Sequence, residues 1–185
     1  MDEVMTGVGR IGKMFAFEHF GIKPNIITLA KGLGVSGFGA AAIVAEERFA
    51  ALTEYEHSFT ATSFLIGAAA ALKTLEIVSQ PTFLKHVTKM GKLIRENLLM
   101  LKKQHSFIGD VRGLGLMQGI EIVDRRWPDP KRALRIVKKA FDKGLFIRCY
   151  QHALANTILI TPALIITEEE VRKGLKILED VLKTE

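Results

Sequence analysis

The chain has 185 residues, of which 48% are hydrophobic and 25% are charged, and its formal net charge is +6. This composition is typical of a folded globular protein and excludes the disordered class. No apolar run approaches the roughly 20 residues of a membrane-spanning helix, and the first residues lack the pattern of a signal peptide. A single cysteine, Cys149, cannot form an internal disulfide, so we expect a reducing, cytoplasmic setting without a membrane.

The first 80 residues predict part of an α/β layer with parallel strands. Residues 2–5 are typical of the tail of a strand, and a short helix should end at Gly21. Residues 26–30 and 40–45 are expected to be buried strands joined by a glycine-rich loop. Residues 64–78 are apolar nearly all round, which predicts a buried helix. So few strands leave sheet edges unpaired, and we therefore expect a further segment upstream of this chain.

A long amphipathic helix is predicted at about 82–103, within a connecting segment at 81–105. Its apolar side chains fall on one face and most of its lysines lie off that face. A solvated helix surface explains this charge better than a nucleic-acid site, because no aromatic residues interleave the lysines. We therefore expect no nucleic-acid partner, although the net charge is positive.

Residues 106–185 predict a separate small α+β unit. Residues 114–123 have a strand pattern that two glycines interrupt. Asp129 should cap a helix that ends at Gly144, because Pro130 follows it at the first helical position. The last helix should begin after Thr167, which forms a capping-box pattern with Glu170.

Two glycine patterns suggest a nucleotide-binding protein. Residues 7–13 have the frame of a P-loop, but Met14 stands where a Ser or Thr would hold Mg²⁺. Residues 32–37 match G-x-G-x-x-G, but a strand-like run follows them where a dinucleotide site needs a helix. Turn glycines explain both patterns better. A P-loop nucleotide binder remains an alternative, and it predicts affinity for ATP.

Several segments together resemble the class III aminotransferases, a family that uses pyridoxal 5'-phosphate (PLP). DEVMTG at 2–7 resembles the end of one family strand, and IITLAK at 26–31 resembles the strand that ends in the Schiff-base lysine. HSFT at 57–60 resembles a loop whose threonine reaches the PLP phosphate of the neighbouring subunit. IGDVRGLGLMQGIEI and TPALIITEEE, further along, resemble the start and the end of the family's C-terminal small domain. The resemblance covers essentially the whole chain.

The resemblance implies a role for four residues in binding PLP. Lys31 is expected to hold PLP, because a lysine amine forms an imine with the cofactor aldehyde. Asp2 is expected to keep the ring nitrogen protonated, on which the electron-sink chemistry depends. Val4 is expected on the side of Asp2, against the ring face, and Thr60 is the threonine of the phosphate loop. Neighbouring parallel strands would place Asp2 and Lys31 at one sheet edge.

The resemblance also implies a fold and an activity. The fold is the C-terminal part of a fold-type I PLP-dependent transferase: residues 1–80 belong to the α/β large domain and residues 106–185 form the small domain. The activity is transfer of an amino group from a donor to a 2-oxo acid, in a homodimer. The family's first half, with its phosphate turn and ring-stacking aromatic residue, has no counterpart here, so we expect the chain alone to be incomplete.

The substrate is less well defined by the resemblance. Leu159 stands where ornithine-type relatives carry an arginine that clamps a substrate carboxylate. This difference moves the expected donor towards amines and ω-amino acids. An aminomutase or racemase of the same fold stays open, as does a fragment that binds a partner without turnover.

Overall fold

The computed structural model describes residues 1–34, 37–49, 64–149 and 155–185. They form two compact units, Met1–Lys85 and His86–Glu185. In the described ranges, no helix is long and apolar enough to cross a membrane.

The described residues form five α-helices and seven strands. The helices are α1 (Phe17–Phe20), α2 (Leu65–Val78), α3 (Pro81–Gln104), α4 (Pro130–Asp142) and α5 (Glu168–Leu182). The strands are β1 (Ile26–Leu29), β2 (Ala42–Ala45), β3 (Ile108–Leu114), β4 (Met117–Asp124), β5 (Trp127–Pro128), β6 (Arg148–Cys149) and β7 (Thr157–Ile160). The division between the two compact units falls inside α3, and the domain limits expected at 80 and 106 stay predictions.

The first unit is built on a short sheet in which β1 and β2 pair antiparallel, with Ile26 opposite Ala45. The strand expected at 2–5 is reduced to one parallel bridge between Asp2 and Thr28, because the chain turns directly after Glu3. The prediction of parallel strands is therefore confirmed for Asp2 against β1 and is wrong for β1 against β2. The buried apolar side chains of this unit are Val8, Ile11, Ala16, Ile27, Leu29, Leu33 and Val78.

Two elements of the first unit are more exposed than their sequences predict. Ile43 of β2 is 69% exposed and Leu65 of α2 is 78% exposed, and within α2 only Gly67 and Val78 are buried. The prediction that β2 is buried is therefore wrong, and α2 leaves apolar surface exposed, as expected for a chain that is incomplete alone. A helix that is apolar all round needs packing partners on several sides, and α2 packs chiefly against the short 3₁₀ helix Lys31–Gly34.

The second unit contains an antiparallel sheet in the order β3-β4-β7-β6, with β5 paired to β4. The strand expected at 114–123 begins only at Met117, as β4, because residues 114–117 form the turn of a hairpin between β3 and β4 in which Leu114 pairs with Met117. Glycine permits this turn: a Cβ on Gly113 would lie 2.1 Å from the Met117 carbonyl oxygen, and Gly115 has a φ of 49°. Gly113 and Gly115 therefore mark the point at which the chain reverses direction.

The helices of the second unit follow the local rules that the sequence displayed. The Asp129 carboxylate accepts a hydrogen bond from the Arg132 N–H at 2.9 Å and caps α4, and Gly144 follows the helix with a φ of 84°. Thr167 and Glu170 form both hydrogen bonds of the capping box at the start of α5. These caps confirm the predicted helix starts. The sheet residues under the helices, such as Ile120 and Ile158, are fully buried.

Candidate functional site

The site predicted from the sequence begins where Asp2 lies beside β1. The Glu3 N–H donates to the Thr28 carbonyl at 3.0 Å, and the Thr28 N–H donates to the Met1 carbonyl at 3.0 Å. These two bonds fix Asp2 in parallel register with Thr28, which precedes Lys31 by three residues. The structure therefore places Asp2 and Lys31 at the ends of neighbouring chain segments. Their roles toward a ligand stay predictions.

The Asp2 carboxylate is held by one of its two oxygens. Its Oδ1 accepts a hydrogen bond from the Val4 N–H at 2.9 Å and lies 3.5 Å from the Thr28 hydroxyl. Both contacts involve Oδ1, and the residue is exposed. A carboxylate fixed in this way has an oxygen available for a cationic N–H group of a ligand.

Lys31 follows β1 in an unusual backbone conformation. Its φ is +46°, in the left-handed region that side chains other than glycine rarely adopt. The residue opens the 3₁₀ helix Lys31–Gly34, in which Leu33 and Gly34 are buried while Lys31 itself is exposed. Gly34 lies tightly against the chain, since a Cβ there would be 2.3 Å from the Ala40 nitrogen. Backbone strain of this kind often accompanies a functional residue.

The other two predicted ligands of PLP have different outcomes. Val4 is half-buried and lies in a turn. Strand alternation, the reason for expecting it on the side of Asp2, therefore does not apply to it, and its contact with a cofactor stays a prediction. Thr60 lies outside the described residues.

A buried residue that the sequence did not single out, Glu3, organises the loop next to Asp2. It is 1% exposed, and its carboxylate accepts hydrogen bonds from the Phe17 N–H at 3.0 Å and from the Thr6 hydroxyl. Its carbonyl also accepts the Gly7 N–H at 2.9 Å. One signal for this was present in the sequence: neighbouring residues of a strand face opposite sides, so an exposed Asp2 implies an inward-facing Glu3.

The glycines between 7 and 13 form a self-contained turn segment. Gly9 and Gly12 have φ values of 79° and 86°, and the Gly9 N–H donates to the Met14 carbonyl at 3.2 Å. The Lys13 ammonium donates to the Glu18 carbonyl at 2.8 Å. The helix that follows, α1, has only four residues. This arrangement favours turn glycines over a P-loop.

The fold and sequence of the whole chain are shared with known enzymes. It is 44% identical over 182 residues to an acetylornithine aminotransferase of Caldanaerobacter subterraneus, covering 98% of this chain and 44% of the relative. It is 39% identical to an alanine/serine racemase of Pyrococcus horikoshii, covering 99% of this chain and 38% of the relative. An amine transaminase from an uncultivated Pseudomonas species, solved in its PLP-bound form, superposes with a TM-score of 0.87 at 29% identity, over 98% of this chain and 43% of that one.

The chain thus spans less than half the length of the relatives that it matches. Residues 1–182 match the family described as aminotransferase class-III. Together with the shared fold, this match shows that the chain belongs to the class III aminotransferases, a family of PLP-dependent enzymes.

Proposed function

We propose that the protein is an aminotransferase that moves an amino group from an amine or ω-amino acid to a 2-oxo acid, with PLP attached to Lys31. The observation that carries the proposal is the parallel register of Asp2 with Thr28, three residues before Lys31. A lysine and a carboxylate at adjacent chain ends are the two groups that PLP needs along one edge of a sheet.

The residues present fit this cofactor. Lys31 is exposed and able to react with an aldehyde, and the Asp2 carboxylate keeps an oxygen for the ring nitrogen. When bound, PLP supplies an electron sink for charge that develops at the substrate Cα. Asp2 holds the proton on the ring nitrogen by favouring the cationic form. Once the substrate amine has displaced it, Lys31 Nζ would serve as the base for the proton on the carbon that bears the amine.

The donor class is proposed from the surroundings of Leu159 in the second unit. Leu159 lies on β7 opposite Gly119 and Arg148, and it lines a largely apolar cleft of 390 Å³ with residues such as Phe146 and Ile160. A leucine offers no bidentate partner to a carboxylate, whereas an arginine does. The leucine at this position supports a donor whose carboxylate is distant from the amine or absent, although Arg148 lines the same cleft.

A second candidate function, amino acid racemisation, is favoured by the similarity to an alanine/serine racemase. Both reactions begin by removal of the Cα proton, and they differ in where the proton returns. Two incubations distinguish them: the transaminase should consume a 2-oxo acid when it is given an amine donor, whereas formation of D-alanine from L-alanine without a 2-oxo acid would favour the racemase.

The test of the proposed function is to map the residue that carries PLP. With the N-terminal half of a relative supplied, borohydride should fix the cofactor on Lys31, and Lys31→Ala should abolish the fixed label. Lys23→Ala, an exposed lysine of the same unit, is the matched control and should label normally. A label on another residue, or covalent binding that survives in Lys31→Ala, would contradict the assignment.

Two further expectations belong to the same proposal. A homodimer is proposed in which Thr60 of one subunit contacts the PLP phosphate of the other. A reducing cytoplasmic location is proposed because the single cysteine, Cys149, cannot form an internal disulfide.

A further inference from the structure

Glu3 is an acidic side chain buried in the first unit, where an ionisable group is unusual. Its carboxylate reaches two segments: Oε1 accepts the Phe17 N–H at the start of α1, and Oε2 accepts the hydroxyl of Thr6. Its backbone N–H and carbonyl bind Thr28 and Gly7. Four hydrogen bonds therefore fix Glu3 to three different parts of the unit.

These contacts enclose the turn that holds Asp2. The turn begins at Asp2, whose Oδ1 accepts the Val4 N–H, and closes at Gly7, whose N–H donates to the Glu3 carbonyl. Thr6, inside the turn, is bound to the Glu3 carboxylate. Gly7 also fits only without a side chain, since a Cβ there would lie 2.8 Å from the Glu3 carbonyl oxygen. The position of the Val4 N–H, and with it the Asp2 carboxylate, thus depends on Glu3.

We propose that Glu3 is the positioning residue for the Asp2 carboxylate and acts through the hydrogen bonds of its side chain. This inference rests on the proposed function, because a fixed Asp2 carboxylate affects the activity only when the ring nitrogen of PLP binds to it. An apolar side chain of the same length would fill the space but leave the Phe17 N–H and the Thr6 hydroxyl without this acceptor.

The experiment compares Glu3→Met with Glu3→Gln. Methionine keeps the length of the side chain but forms neither hydrogen bond. Glutamine keeps a carbonyl oxygen that accepts the Phe17 N–H and has an amide NH2 group that can donate to the Thr6 hydroxyl. Amide hydrogen exchange at Val4, measured on the 185-residue chain, reports the bond to Asp2, and the Glu46 amide, bonded to the Asn25 carbonyl, is the internal reference. Thr6→Val is a milder second variant in case Glu3→Met does not fold.

The expected result is that Glu3→Met speeds Val4 exchange about ten-fold relative to Glu46, the size of effect that loss of hydrogen bonds to a charged group produces. Glu3→Gln should stay within about two-fold of the parent, and Thr6→Val should fall between them. Ile11→Ala, which removes a buried side chain of the same unit, is the control for general destabilisation and should speed both amides alike. Unchanged Val4 exchange in Glu3→Met, or equal acceleration in Glu3→Gln, overturns the proposal.

A cycle of PLP affinities provides the second measurement. If Glu3 acts through Asp2, the double variant Asp2→Asn with Glu3→Met should bind PLP no more weakly than Asp2→Asn alone. If the losses of PLP affinity caused by Asp2→Asn and Glu3→Met add in the double variant, the proposal is overturned. If the parent chain does not bind PLP, the proposed function fails in this chain, while the exchange rates still decide the role of Glu3.

Discussion

The left-handed backbone of Lys31 leads to a prediction about stability. The residue has a φ of +46° and is exposed, so its side chain gains little from packing in return for the strain. Glycine adopts this conformation without a steric penalty, whereas alanine keeps the penalty and removes only the amine. We therefore expect Lys31→Gly to be more stable than Lys31→Ala.

The magnitude follows from two opposing effects. A left-handed conformation costs a residue with a Cβ about 1–2 kcal/mol. Glycine loses about 0.4–1 kcal/mol through the greater entropy of its unfolded chain. The free energy of unfolding should thus be higher for Lys31→Gly than for Lys31→Ala by roughly 0.5–1 kcal/mol.

Lys73 provides the matched control, because it is an exposed lysine in the ordinary helix α2 of the same unit. Its ion pair with Glu76 is lost equally in both replacements, and helix propensity then makes Lys73→Gly less stable than Lys73→Ala by about 1 kcal/mol. Urea denaturation gives the free energy of unfolding of all four variants, with hydrogen exchange in peptides covering residues 26–34 as the probe. If alanine is as good as glycine at position 31, the argument from strain is refuted.

Three other perturbations have defined outcomes. Thr60→Ala should weaken PLP retention, measured by dialysis, and mixing it with a Lys31→Ala protein should restore activity in hybrid dimers; an active monomer at high dilution would contradict this role. Thr167→Ala should lower the free energy of unfolding by about 0.5–2 kcal/mol in urea, because it removes the cap of α5, and an unchanged midpoint would argue against the capping box. Burial opposes ionisation of Glu185, but its contacts with Lys139 and Arg135 outweigh burial and hold the pKa of its carboxyl below the usual value. The stability from these pairs should be present above the ordinary pKa of about 4.3 and lost as the pH falls through the lower folded pKa, and Glu185→Gln should flatten this dependence in acid denaturation.

The second unit could be predicted from sequence because its signals are local. Asp129 and Thr167 cap the helices that their sequence context indicated, and the period of apolar residues placed α3 and α5. The hairpin at Gly115 was missed because a glycine inside an apolar run fits an interrupted strand as well as a turn. The left-handed backbone of Gly115, which makes this segment a turn, is a property of the fold.

The first unit was harder to predict because its arrangement depends on contacts distant in sequence. A parallel placement of the Asp2 segment beside the strand that ends at Lys31 was expected from the resemblance, but the antiparallel pairing of β1 with β2 has no local signal. The exposure of α2 agrees with the expectation that the chain alone is incomplete, because composition reports what a helix needs to bury and says nothing of which partners the chain supplies. Glu3 was overlooked because the two groups that donate to its carboxylate, the Phe17 N–H and the Thr6 hydroxyl, lie on different elements.

The two units differ in how well they follow the rules of stability. The second unit has capped helices, a buried face on its sheet and glycine at the end of α4. The first unit departs from those rules at three residues that lie close along paired chain segments: Lys31 has a strained backbone, Asp2 is exposed with a half-satisfied carboxylate, and Glu3 is acidic and buried. Departures from local consistency tend to gather at functional sites. Since glycine would suit the left-handed backbone at position 31 better, stability alone does not explain the lysine there, and this supports the proposed chemistry at the end of β1.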